Sequence, residues 1–254
     1  STSYEQYVYS LCRLIDFPIQ NVYCTKLDLD KYIIQKTEIN RLKQLEKEII
    51  SLSMIDIPKD AQSISQFSSK SQLTIKKLDN IFFEEIPKMT IGKKMDQIKP
   101  IGGEEKAESI RNITKRMDCK ISSIMYVGDS ITDIKALKLV KNGSGLTVSF
   151  NGNEYAVRNA EVAVLSNNSI IITVLADIFY HLGKKSVLEL VQEWSYAALK
   201  KYCTNPSIIQ SVINVFPVTL PKVELVTQDN LDKLVEESSS FRRTVRGKAI
   251  GLLG

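Results

Sequence analysis

The segment from Ile121 to Leu137, ISSIMYVGDSITDIKAL, constrains this chain more than any other stretch. A short apolar run ends in Gly128-Asp129, and a second acid, Asp133, follows four residues later. The run predicts a buried strand over Ile121 to Val127 and a helix over Thr132 to Val140. Two carboxylates then converge at the carboxyl end of a buried strand, where open α/β sheets bind their ligands. Helix capping and the helix dipole account for one acid at such a place. They do not account for a glycine directly before Asp129, or for both acids together. Asp129 and Asp133 are therefore candidate ligands for Mg²⁺, a hard cation that takes oxygen ligands.

The pattern around this segment is α/β. Glu104 to Met117 reads as a helix with Ala107, Ile110, Ile113 and Met117 inward. Strands follow at Leu146 to Phe150 and Val162 to Leu165. Strands alternating with helices imply a parallel, Rossmann-like sheet. Upstream, residues 3–15 carry one helical stripe, and Asn21 to Cys24 reads as a short strand. Between them and the α/β pattern, EINRLKQLEKEIISL places Ile39, Leu42, Leu45 and Ile49 on one face of a charged helix. A second helix covers Leu73 to Phe83, after a Ser/Gln-rich loop. The organisation is thus an α/β core in residues 1–30 and 99–168, a helical insertion at 31–98 and a helical C-terminal extension at 169–254. In the extension, helices are expected at Ile170 to Phe179, Val187 to Tyr202 and Ile208 to Phe216, with Trp194 as an apolar anchor. The final SSSFRRTVRGKAIGLLG is expected to fray.

Composition excludes several classes. With one histidine, His181, neither a Ser-His-Asp nor a histidine-metal mechanism is supported, and His181 suits a helix end. The cysteines, Cys12, Cys24, Cys119 and Cys203, form no Cys-x-x-Cys pair, so buried free thiols in a reducing cytosol are expected. No eighteen-residue apolar run indicates a membrane span. A net charge of +5 suits anionic small molecules as well as nucleic acid. The basic residues Arg242, Arg243, Arg246 and Lys248 are the only local case for nucleic acid, and a solvated tail explains them more simply.

Lys106 opens a helix just after Gly102-Gly103. A cation is unfavourable in a helix's first turn, so this lysine breaks a local rule, as functional residues do. Gly102 and Gly103 let the backbone approach a ligand closely. Lys106 could then neutralise a phosphate oxygen and the nearby carboxylates. The plain alternative is a solvated lysine among Glu104, Glu105 and Glu108.

Together these residues resemble the haloacid dehalogenase superfamily, in its phosphoserine-phosphatase-like branch. Its four ordered motifs are a nucleophilic Asp-x-Asp, a Ser/Thr after a strand, a Lys and an acidic pair. Gly128-Asp129-Ser130-Ile131-Thr132-Asp133 resembles the fourth, Lys106 in GGEEKAESI the third, and Ser1 in STSYEQYVYSLCRLIDFPIQNVYC the second. LTVSFN, ending at Asn151, and EYAVRNAEVAVL resemble the segment after the fourth motif. The likeness covers about residues 1–30 and 100–168. Within the superfamily the chain is similar to an archaeal group, some of whose members are named as a subunit of an energy-converting hydrogenase. The resemblance implies Lys106 and Ser1 as catalytic residues. It implies Ser1, Thr2, Gly102, Gly103, Lys106 and Asn151 around phosphate or substrate, and Asp129 and Asp133 around Mg²⁺.

Two departures qualify this. The helical insertion lies between the second and third motifs, where the family carries a substrate-selecting cap; it could equally be a surface for a protein partner, as could the tail. The Asp-x-Asp motif has no counterpart before Ser1. The other such triplet, Asp28-Leu29-Asp30, follows Ser1 and a mixed segment, and is not expected to be the nucleophile. The chain therefore reads as an N-terminally shortened form. The expected function is Mg²⁺-dependent hydrolysis of a small phosphorylated metabolite through an aspartyl-phosphate, inactive in this chain for want of that motif. The alternative is a non-catalytic interaction or regulatory subunit on the same fold.

Overall fold

The computed structural model describes residues 1–28, 33–58 and 61–247. The chain divides into two units, Ser1–Pro100 and Ile101–Gly254.

In the N-terminal unit, α1 (Glu5–Leu14) follows the expected stripe and buries Cys12. The strand expected at Asn21 to Cys24 is reduced to a single parallel bridge between Tyr4 and Thr25. A 3-10 turn at Ile19–Asn21, directly after Pro18, consumes the residues that would have extended it. The insertion is helical where its apolar spacing requires: α2 (Lys36–Ile50) buries Leu45, and α3 (Ser69–Asp79) starts at Ser68, whose hydroxyl accepts from the Ser71 amide. α3 runs on into a π turn at Asn80–Glu85, and α4 (Thr90–Met95) follows. Arg41 of α2 grips Glu85 with a two-pronged contact at 2.5 and 2.9 Å, fixing the π turn against α2.

In the C-terminal unit, four strands form one sheet in the order β1 (Met125–Gly128), β2 (Leu146–Phe150), β3 (Val162–Leu165), β4 (Lys222–Leu225). The first three run parallel, and β4 is antiparallel to β3. The parallel strands are separated in sequence by α6 (Ile134–Asn142) and α7 (Glu154–Asn159). α5 (Gly103–Arg116) precedes β1. Between β3 and β4 come α8 (Ile170–Gln192), α9 (Tyr196–Tyr202) and α10 (Pro206–Val215), and α11 (Leu231–Arg246) closes the described chain.

Strand alternation sorts the core into two faces. Leu146, Val148, Val162, Val164 and Val223 meet Ile171, Val174, Leu175 and Ile178 of α8 in one cluster. Ala163 and Leu165 point the other way and meet Val157 of α7 and Leu234 of α11. Tyr126 packs with Ala136 and Val140 of α6 and Ile110 of α5. This doubly covered, mostly parallel sheet is the α/β class expected from the sequence.

The first strand is shorter than its apolar run, because Ile121–Ser123 forms a 3-10 turn. The helix expected from Val187 to Tyr202 is broken at 193–195, where Ser195 caps α9. Trp194 anchors as expected, donating from Nε1 to the Pro221 carbonyl at 2.8 Å within the apolar cluster. Two features of the extension differ from the sequence reading. It is not wholly helical, since β4 extends the sheet. And residues 238–246 do not fray: they form the last turns of α11, with Arg242 only 2% exposed. Lys248 lies outside the described residues. Cys12, Cys24 and Cys203 are buried free thiols, and Cys119 is half-buried. Among the described residues no helix is long and apolar enough to cross a membrane.

Candidate functional site

The turn after β1 is built around Asp133. Its Oδ2 accepts the amides of Asp129 and Ser130, both at 3.0 Å, and the Ser130 hydroxyl at 3.2 Å. Its Oδ1 accepts Lys106 Nζ at 2.8 Å and the Tyr126 hydroxyl at 2.7 Å. Five donors thus meet a carboxylate that offers about four lone-pair directions. The close approach explains Gly128: a Cβ there would stand 2.7 Å from Asp133 Cβ, so no other residue fits without a shift.

The electrostatics follow from this geometry. Burial by itself would push the Asp133 carboxyl up. The hydrogen bonds from Lys106, the Asp129 amide and Tyr126 outweigh burial and hold the carboxyl below its ordinary value. Burial, and then the Asp133 charge, push the Tyr126 phenol well above its usual range, so it stays a donor. Lys106 is 15% exposed and also donates to Thr132 Oγ1 at 2.8 Å. Its ammonium has three protons, and these two contacts use two of them. The first-turn lysine is therefore an organised group, reaching from α5 to the end of β1.

Asp129 has different partners. Its Oδ2 accepts Arg242 Nη1 at 2.7 Å and Arg246 Nη2 at 2.6 Å, both from α11. Arg242 Nη1 also donates to the backbone carbonyls of Asp129, at 2.9 Å, and Asn151, at 3.1 Å. These two arginines reach the candidate site, where the sequence suggests a solvated tail. A signal for them exists. Leu231, Leu234, Val235, Ser238, Phe241 and Arg242 fall on one helical stripe, so Arg242 shares the buried face. Ser238 on that stripe donates to the Gly152 carbonyl at 2.7 Å, one residue beyond Asn151.

The other expected site residues are placed as follows. Gly102 and Gly103 begin α5, and the Gly102 amide is taken by Glu105 Oε2 at 3.2 Å. Asn151 sits at positive φ (49°), and its side chain joins β2 to the loop after β3. Its Nδ2 donates to the Ser166 carbonyl at 2.7 Å, and its Oδ1 accepts the Ser166 amide at 2.9 Å. Lys106, Asp129 and Asp133 are thus brought together, whereas the Asn151 amide is committed to the fold. Ser1 and Thr2 belong to the N-terminal unit. The Ser1 hydroxyl accepts the Ser3 amide at 3.1 Å, and the Thr2 carbonyl accepts Thr25 Oγ1 at 2.9 Å. Asp28 lies in the same unit, and Leu29 and Asp30 fall outside the described residues.

Mg²⁺ is usually held by one or two carboxylates that are open to it, with waters completing its oxygen ligands. Asp133 is saturated by its five donors, and Asp129 Oδ2 is paired with two guanidinium groups. In this conformation the residues do not make a Mg²⁺ site.

A doubly covered, mostly parallel sheet with acids and a lysine at the end of one strand defines an α/β protein with a candidate ligand site at the carboxyl end of β1. The family model for haloacid dehalogenase-like hydrolases matches residues 6–177, and the chain belongs to that family. No curated protein matches it. A solved structure, that of a gene product from Archaeoglobus fulgidus, superposes with a TM-score of 0.72 at 23% identity, over 100% of this chain. The chain spans 66% of that protein's length. The likeness bears on the fold.

Proposed function

We propose that the chain is a phosphatase-type scaffold for a small phosphorylated metabolite, silent in hydrolysis in the conformation described. The observation that carries this reading is Lys106, held 2.8 Å from both Asp133 and Thr132 at the carboxyl end of β1. That ammonium keeps a third proton for a phosphate oxygen, and its position is fixed before a ligand arrives. Gly102 and Gly103 at the start of α5 would allow close approach of the phosphate. The family's chemistry is attack by an aspartate carboxylate on phosphorus, which breaks the ester P–O bond, releases the alcohol and gives an aspartyl-phosphate that water then hydrolyses. Asp133 organises the turn and Asp129 is bound to arginines, so neither acts as that nucleophile here. In the conformation described, Asp129 and Asp133 are not arranged to hold Mg²⁺.

A second reading, a non-catalytic interaction or regulatory subunit, is favoured by the arginine pair on Asp129. One experiment separates the two. Binding of inorganic phosphate by the full chain would be measured by calorimetry, with Lys106→Ala as control, and hydrolysis of an aryl phosphate assayed with and without Mg²⁺. Lys106-dependent binding without hydrolysis supports the proposal. No phosphate binding sinks it in favour of the second reading. Mg²⁺-dependent turnover by the unaltered chain contradicts its silence.

A further inference from the structure

The end of β1 carries more positive charge than two acids need. Lys106, Arg242 and Arg246 surround Asp129 and Asp133, three cations against two anions. Both guanidinium groups converge on one oxygen of Asp129, and one of the two arginines is almost fully buried. We propose that Arg242 and Arg246 are the resident countercharge of Asp129, a clamp built into α11 that excludes a divalent cation from this carboxylate. The inference rests on the reading above only in taking Asp129 as the acid this site offers to a cation.

Three observations carry it. Asp133 is closed to a cation by its five donors, which leaves Asp129 as the acid in question. A dication beside Asp129 would meet two guanidinium charges at contact distance, and like charges in a partly buried site repel strongly. The clamp is also rigidly mounted. α11 is seated by Leu234 and Phe241 in the cluster with Val157, Ala163 and Leu165, and by the Ser238 hydrogen bond to Gly152. The arginines are thus delivered by a helix that would stay docked without their charge.

That last point makes the test practicable. Mn²⁺ would be titrated into the full chain and the free ion followed by electron paramagnetic resonance. The proteins compared are the unaltered chain, Arg246→Gln, Arg242→Gln/Arg246→Gln, and each of these with Asp129→Asn. Arg246 is partly exposed, so Arg246→Gln should fold even if the double variant does not; far-UV circular dichroism checks both. The clamp predicts that Asp129→Asn leaves Mn²⁺ binding by the unaltered chain unchanged. It also predicts that Arg246→Gln binds at least tenfold tighter, and that adding Asp129→Asn abolishes the gain. Asp129-dependent binding by the unaltered chain, as tight as in the arginine variants, overturns the clamp. A folded Arg246→Gln variant with no gain overturns the two-arginine clamp too, since Arg246 would then not be helping to keep the cation out. Phosphate hydrolysis is not read, so a failed phosphatase reading leaves this outcome standing, and the reverse also holds.

Discussion

Arg242 donates to the Asp129 carboxylate at 2.7 Å from a side chain that is 2% exposed. The same nitrogen also reaches the main-chain carbonyls of Asp129 and Asn151. One residue of the last helix therefore ties together the ends of β1 and β2, the places where a parallel sheet presents its ligand site.

The two arginines should differ in what they contribute to stability. Arg242→Met removes charge-assisted hydrogen bonds from a buried place, and should cost about 3 kcal/mol. Arg246 is 38% exposed and solvent screens its pairing, so Arg246→Gln should cost roughly 1 kcal/mol or less. Urea denaturation of both variants gives the comparison, and equal losses would contradict it.

The Asp133 network should set the acid limit of the fold. The carboxyl is held below its ordinary value of about 4 in the folded state. Its contribution is therefore fully present above pH ~4 and lost as pH falls through the folded-state value below that. Lys106→Met removes one of the hydrogen bonds that offset burial. The folded-state value then rises, and acid unfolding should move to higher pH. Circular dichroism against pH reads the shift; an unchanged or lower midpoint would contradict the assignment.

Tyr126→Phe removes one donor to the same carboxylate and leaves the ring packing in place. The loss should be about 1.5–3 kcal/mol, as for a hydrogen bond to a charged group. Thermal unfolding of the variant measures it. A neutral result would show that the four remaining donors suffice.

Gly128→Ala forces a Cβ to within 2.7 Å of Asp133 Cβ, at a residue that five hydrogen bonds hold in place. Overpacking of this kind costs about 1–3 kcal/mol. The variant should unfold at lower urea and weaken phosphate binding together, because the same turn carries Lys106's partners.

Much of the C-terminal unit was legible in the sequence. Leu146–Phe150 and Val162–Leu165 are short apolar runs bounded by turn residues, and they are strands at those bounds. The Gly128-Asp129 turn was readable because a short apolar run ends in a glycine and an acid, and Lys106 because a cation breaks a local rule in a helix's first turn. β4 was not readable. Lys222–Leu225 alternates charged and apolar residues over only four positions, and its pairing comes from β3, far away in sequence. The arginines of α11 were misread because a basic cluster is usually solvated. Both pair with Asp129, 113 and 117 residues away, and composition carries no trace of that pairing.

The most direct test of the account is a double-mutant cycle on Asp129→Asn and Arg242→Met, read by urea denaturation of the full chain. The commitment of Asp129 to α11 predicts a coupling energy of about 1.5 kcal/mol or more, as for close, partly buried charge pairs. A coupling near zero would mean that the carboxylate does not depend on the arginine, and would contradict the account.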